Sequence, residues 1–458
     1  SAVLGNRRRL GEAGPKGSGM RHWGLAAALV AAPAAAQLGE GARPAYPAVP
    51  SLRERAASVD ASLKDRLETV VPAIMRERGV DMWIVVAREN FEEPVIATML
   101  DAESFAARRR TILVFFDPGR GKPVERLTVS RYGMGGLFAP AWDPAKQPDQ
   151  WKALAAIVAE RKPKRIAVNS SAASAYADGM TLSAWEEMNA ALAPADRARV
   201  VRDDTLAIRW LESRSARELA DYPRIVGTAQ AIIAEGFSNA GVVPGRTTSA
   251  DLVWWYRERI AALKLETWFQ PSVGIQRAGA KGMLEGDTVI QPGDMLWVDF
   301  GIVTERLATD TQHLAYVLKP GESEAPAGLR AGLAAANRLQ DITMASFRAG
   351  ESGNAILARA RAAAIAEGIT PSIYSHPIGF HGHAAGSAIG FWDNQAADPR
   401  GAGPVRARTT WSIELMAKAP VPEWGGQVVE FRQEEDAFFD GRRVRWLNGR
   451  QTGFYLVR

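Results

Sequence analysis

The chain has 458 residues, too many for one ordinary core, with 47% hydrophobic and 23% charged residues, the balance of a soluble globular protein. Its net charge of +5 is concentrated: Arg7, Arg8, Arg9, Lys16 and Arg21 against Glu12 place +4 in residues 1–36. The body is left nearly neutral, which removes any electrostatic case for nucleic acid or an anionic membrane as partner, and the lack of cysteine excludes thiolate ligands, disulfides and a cysteine nucleophile.

Met20-Arg21-His22, the apolar run Trp23–Ala32 and the small residues up to Ala36 read as a secretory signal within a leader of residues 1–36, too short to span a bilayer. Cleavage after Ala36 and a periplasmic or secreted protein without stable membrane insertion are the expectation. Residues 37–59, rich in Pro, Gly and Ala at their start, read as an extended lead-in. An amphipathic helix over 63–78 follows, then strands at 82–86, 111–116 and 165–168 with a helix over 150–161. This alternation predicts an α/β domain over residues 60–205.

A second domain, 206–458, opens on a helical stretch over 212–239. Next comes a helix through Trp254 and Trp255, whose indoles read as core packing. Strands at 295–303 and 313–318, helices at 325–349 and 353–367, and strands at 410–416, 427–431 and 436–439 come in runs without strict alternation, an α+β arrangement of an antiparallel sheet backed by helices.

Asp299, Asp310, Glu414 and Glu434 each lie in or beside an apolar strand pattern. Buried carboxylates are costly unless neutralised, and one or two divalent cations would neutralise four that converge. A strand, turn and returning strand can set Asp299 beside Asp310. Three of the five histidines fall within His376-Pro377-Ile378-Gly379-Phe380-His381-Gly382-His383. Its Gly and Pro residues suggest an irregular loop that presents imidazoles for ligation and substrate contact. His313 reads as structural.

The order Asp, Asp, His, Glu, Glu resembles the metallopeptidase superfamily of methionine aminopeptidase, aminopeptidase P and prolidase, with its pita-bread fold. Five segments carry the likeness, which covers about residues 205–446: Pro292–Gly301, Thr309-Asp310-Thr311, Ser375–Gly379, Ile413-Glu414 and Arg432-Gln433-Glu434-Glu435-Asp436. A creatinase-type N-terminal α/β domain fits the preceding part. The resemblance implies two divalent metal ions, Mn²⁺ foremost, with Co²⁺, Zn²⁺ or Fe²⁺ as substitutes. In that reading Asp299 chelates one cation, Asp310 and Glu434 bridge both, and His376 and Glu414 bind the other. Glu414 also shuttles a proton, His383 contacts the substrate, His381 joins the substrate shell, and Arg432 orients a ligand carboxylate from behind.

The implied substrate is a peptide, cleaved after its first residue and before proline, and the implied assembly is a homodimer. Three departures alter the substrate side: Lys281-Gly282-Met283 holds no histidine, Ser372 stands where proline-specific members have one, and Glu414 is followed by Leu415 in place of Pro. A prolidase-type dipeptidase, a non-peptide amide or ester hydrolase on the same fold, and a non-catalytic metal-stabilised binding module are the competing readings.

Overall fold

The computed structural model describes residues 45–119 and 121–458. The leader lies outside them. Among the described residues no helix is long and apolar enough to cross a membrane.

The first helix runs Leu52–Arg78, eleven residues earlier than its apolar stripe suggests. Its opening turns face water, with Leu52 63% exposed, so they carry no apolar period. The start is fixed instead by a capping box in which Ser51 accepts from the Glu54 amide and Glu54 accepts from the Ser51 amide. The predicted extended lead-in therefore ends at residue 51.

Six strands then form one mixed sheet in the spatial order Ala139–Pro140, Glu125–Val129, Arg110–Phe116, Met82–Arg88, Ile166–Asn169 and Val200–Asp203. The three last-named pair in parallel. Helix Gln150–Arg161 has the predicted ends, set by Asp149 as N-cap and Lys162 in the left-handed region. The α/β expectation thus holds for this part. Helix Thr205–Glu212 adds Leu206, Ala207, Trp210 and Leu211 to the same core, from beyond residue 205.

The helical stretch predicted over 212–239 is helix Ala216–Gly236, started by a second capping box between Ser215 and Glu218, and a separate helix, Thr205–Glu212, ends where the predicted stretch begins. Helix Ser249–Ala262 follows, and here the tryptophan expectation fails for one residue. Trp255 packs edge-on against Tyr256, whereas Trp254 is 61% exposed. An α-helix advances about 100° per residue, and the step from Trp255 back to Trp254 carries the second indole off the core face into solvent.

The remaining strands form three principal sheets. One has the order Tyr455–Val457, Thr311–Val317, Met295–Phe300, Ser272–Gln276; a second has Thr370–Ile373, Leu415–Val421, Gln427–Gln433; a third has His376–Ile378, Thr409–Ser412, Asp436–Phe439, Val444–Trp446. Helices Ala216–Gly236 and Ser249–Ala262 bury one face of the first sheet, meeting Leu296, Val298, Phe300, Ala315 and Val317. Helices Ala327–Ala345 and Gly353–Ala366 pack in the core that contains the other face, with Met295, Trp297, Leu314 and Tyr316. This is the pita-bread arrangement, strands that are antiparallel apart from the parallel pair Thr311–Val317 and Tyr455–Val457, enclosed by helix pairs.

Three chain segments pass between the second and third sheets, two from the second into the third and one, Thr409–Ser412 to Leu415–Val421, in the reverse direction. The breaks fall at Tyr374-Ser375, Ile413-Glu414 and Glu434-Glu435, between the paired strands on either side. That is why the predicted strand over 410–416 is interrupted. Side chains at such breaks are released from ladder alternation, and the chemistry collects there.

Candidate metal centre

Period-two alternation along Met295–Phe300 turns Asp299 to the same face as Met295 and Trp297, and the ladder sets it opposite Gln312. The hairpin at 303–308 closes the connection and delivers Asp310 just before the returning strand. Glu414 and Glu434 occupy two of the sheet-to-sheet breaks, and His376 opens a strand immediately after the third. His376 is therefore on a strand, and only the residues after Ile378 form the expected loop, because Pro377 and its neighbours complete the ladder with Thr409–Ser412.

All five residues come together. Ligand atoms of Asp299, Asp310 and Glu434 lie within 4.8 Å of one another, and so do those of His376, Glu414 and Glu434, so Glu434 belongs to both sets. His376 Nε2 is 3.5 Å from Asp310 Oδ2, 3.5 Å from Glu434 Oε1 and 3.8 Å from Glu414 Oε2. Its Nδ1 lies 3.0 Å from the Pro377 carbonyl, which can only accept, and this directs Nε2 into the cluster.

Two buried atoms of the cluster, Asp310 Oδ1 and His376 Nε2, have no hydrogen-bond partner. An unpaired buried polar atom costs about 1–3 kcal/mol, so both atoms are poised for a cation. Burial first, then the Glu434 carboxylate, push the Asp299, Asp310 and Glu414 carboxyls well above their ordinary range. For His376 burial works downward, but Glu434 and Glu414 outweigh it and raise its pKa. Mutual repulsion on this scale is what one or two bound cations relieve, and the oxygen-rich donor set with one imidazole fits them.

Uncharged residues hold the carboxylates, and sequence inspection passed over them. Gln312 Nε2 donates to Glu414 at 2.9 Å and to Glu434 at 2.7 Å, while Trp297 Nε1 donates to Gln312 Oε1 at 2.9 Å. Ser412 donates to Glu434 as well, and a further carboxylate, Asp436 of the segment Arg432–Asp436, accepts from the Asp310 amide. The signal available was position: Gln312 stands across the ladder from Asp299.

The predicted orienting residue, Arg432, touches none of the five. It donates to Glu430 at 2.8 Å and lies 4.9 Å over the Trp297 ring, so its influence on Asp299 is through its charge alone. His313 is structural as expected, fully buried with Nε2 2.6 Å from Glu435.

The loop after Ile378 is fastened to the N-terminal part of the chain. Phe380 lies between the guanidinium groups of Arg66 and Arg214, at 4.7 and 4.6 Å. Gly382 backs onto Trp268, whose ring a Cβ would meet at 2.1 Å, so only glycine fits. Tyr176 donates to the His383 carbonyl and packs at a tilt against His381, 4.6 Å between centroids. His381 is thus packed behind Tyr176 and lines neither cleft described below, which corrects its placement in the substrate shell. Burial, then Arg214, hold its pKa down at about 4, so it packs as a neutral ring.

His383, by contrast, is exposed and stands 4.8 Å, centroid to centroid, from His376, with one nitrogen within reach of Asp310 and His376. Burial of its ring, then the neighbouring His376, lower its pKa.

Two clefts meet at the cluster. One, of about 380 Å³, reaches Asp299 and Glu414 past Trp297, Ser372 and Tyr374. The other, of about 580 Å³, reaches His376 and His383 and is roofed by Ala173–Tyr176 and Thr205 from the N-terminal part. Tyr374 lines both.

Fold and site define a hydrolase that works with divalent metal ions. Residues 224–434, the stretch that contains all five clustered residues, match the sequence model of metallopeptidase family M24 and belong to that family. Among solved structures the chain is similar to an X-Pro aminopeptidase from Thermotoga maritima MSB8, at 17% identity and a TM-score of 0.59, over 84% of this chain and 100% of that one. It is also similar to a Xaa-Pro dipeptidase from Bacillus anthracis (14%, TM-score 0.52, 89% and 100% covered). A third similar structure is a dipeptidase from Pyrococcus horikoshii OT3 (15%, TM-score 0.54, 86% and 100%). At these identities the likeness establishes the fold. No curated protein matches the chain.

Proposed function

We propose that the chain is an exported two-metal aminopeptidase that releases the first residue of a peptide, with Xaa-Pro substrates foremost. The observation that carries this reading is the convergence of Asp299, Asp310, His376, Glu414 and Glu434 in two ligand sets sharing Glu434, with unpaired buried atoms among them. Asp299 would hold one cation, His376 and Glu414 the other, and Asp310 and Glu434 both. The cations supply a Lewis acid for the scissile carbonyl and acidify water at neutral pH.

The remaining work falls to side chains. Glu414 lines the smaller cleft and accepts from Gln312 through one oxygen, which leaves the other to take a proton from water and return it to the departing nitrogen. His383 stands exposed at the other side of the cluster, where a neutral imidazole can donate to the developing oxyanion. The terminal ammonium of a peptide is drawn to Asp299 and Glu414, and the departing chain runs into the larger cleft under Tyr176.

The test is a digest of Xaa-Pro-Xaa peptides by the Mn²⁺-loaded protein and by its Glu414→Gln variant. Release of the first residue by the parent and none by the variant is expected. Near-normal turnover by the variant removes Glu414 from the mechanism, and cleavage of dipeptides alone moves the reading to a prolidase.

A further inference from the structure

The strand pair that carries Glu414 and Glu434 to the cluster continues outward from it. Along Leu415–Val421 and Gln427–Gln433, the alternation of two turns Met416 and Lys418, and Arg432 and Glu430, onto one face. The ladder sets Lys418 opposite Glu430 and Met416 opposite Arg432. Those four residues wall the smaller cleft, whose inner end is Asp299 and Glu414 and whose rim carries Trp392, 76% exposed.

The wall is charged and organised. Lys418 Nζ is 2.9 Å from one Glu430 oxygen and Arg432 donates to the other at 2.8 Å. Burial opposes ionisation of Glu430, but the two cations outweigh it and hold its pKa below the usual value. An adjoining hollow of about 530 Å³ shares Lys418, Glu430 and Arg432 and adds Lys281. Two cations therefore face one carboxylate along this side of the cleft, and a third, Lys281, lines the adjoining hollow.

A terminal ammonium anchored at Asp299 and Glu414 leaves the side chain of the first residue in this cleft. We propose that the cleft selects peptides whose first residue bears a side-chain carboxylate, glutamate or aspartate, received by Lys418 and Arg432. The proposal deepens the aminopeptidase reading above and rests on it. Lys418 is partly open to solvent, with its side chain 42% exposed, so screening keeps the preference modest.

The test uses the full chain with saturating Mn²⁺ and four peptides that differ only in the first residue: Glu, Gln, Leu and Lys, each before Pro. The ratio of kcat/KM for Glu over Gln is expected to be about three to ten, carried mainly by KM, with Lys the poorest. Lys418→Met should bring the ratio toward one, and Glu430→Gln, which strips the wall of its only carboxylate, should raise it. A ratio taken within one variant cancels any general loss of activity, and opposite movements cannot come from a merely structural role. A ratio near one in the parent, or a ratio moved by neither variant, overturns the proposal. Failure to cleave any of the four overturns the aminopeptidase reading itself.

Discussion

At the scale of single residues, the site depends on neutral side chains as much as on charged ones. Gln312 ties Glu414 to Glu434 and is itself pinned by Trp297. Replacing it with leucine keeps the volume close and removes both donors. Partners of this sort are worth about 10–100-fold in metal affinity. Mn²⁺ titration calorimetry on Gln312→Leu should show that loss, and the melting temperature of the metal-free protein should fall as well, because Trp297 Nε1 loses its acceptor; unaltered affinity would show that the carboxylates hold their places without it. His383→Ala should act differently, leaving metal affinity intact and lowering kcat by about 10²–10³, the usual loss for one oxyanion donor. Single-turnover kinetics at saturating Mn²⁺ separates the two. Charged ligands were legible in the sequence because a carboxylate in an apolar strand has no bland explanation. Gln312 and Ser412 were not, because an amide or hydroxyl in a strand has many.

At the scale of elements, the cluster is placed by strands that change sheets, and those strands are positioned by the helix behind them. Helix Ala327–Ala345 reaches Gln427–Gln433 through Gly332, where a Cβ would fall 2.0 Å from the Phe431 ring. Gly332→Ala must push helix and strand apart, an overpacking cost of about 1–3 kcal/mol that exceeds the helix propensity gained. A lower urea midpoint for the variant is the expected result, and an unchanged or higher one would mean that Phe431 can turn aside. The break at 413–414 was not legible, since the apolar run over 410–416 reads as one strand whether or not its ladder changes partners, whereas that at 434–435 falls between the strands expected at 427–431 and 436–439. Likewise the start of helix Leu52–Arg78 was written in Ser51 and Glu54 but not in the apolar pattern followed to find it.

At the scale of the whole molecule, the N-terminal part roofs the larger cleft through Tyr176 and locks to the catalytic part through Arg66, which donates to the Ser213 carbonyl and to Glu218. The N-terminal core holds a titratable group of its own. Glu93, 1% exposed, accepts from Asn169 and the Ile96 amide, and burial lifts its pKa from 4.5 to about 7 despite those bonds. A raised folded-state value means that its stabilisation is complete below about 4.5 and is lost as pH climbs through about 7. The loss is at most about 3 kcal/mol. Glu93→Gln should therefore narrow the gap between melting temperatures at pH 5 and pH 8, and an identical gap in both proteins would contradict the assignment. The overall architecture was legible because the two parts have different rhythms, alternating strand and helix before residue 205 and clustered strands after it. The interlock between them was not, because Phe380, Arg66 and Arg214 are far apart in the chain and follow no local pattern.

The central claim is that the five clustered residues hold two cations. Metal content per chain after dialysis against Mn²⁺, measured by plasma mass spectrometry on the parent and on Glu434→Gln, tests it most directly. Glu434 belongs to both ligand sets, so two ions in the parent and one or none in the variant is the expected result. Equal metal content in the two proteins, or no metal in a parent that still cleaves peptides, would contradict it.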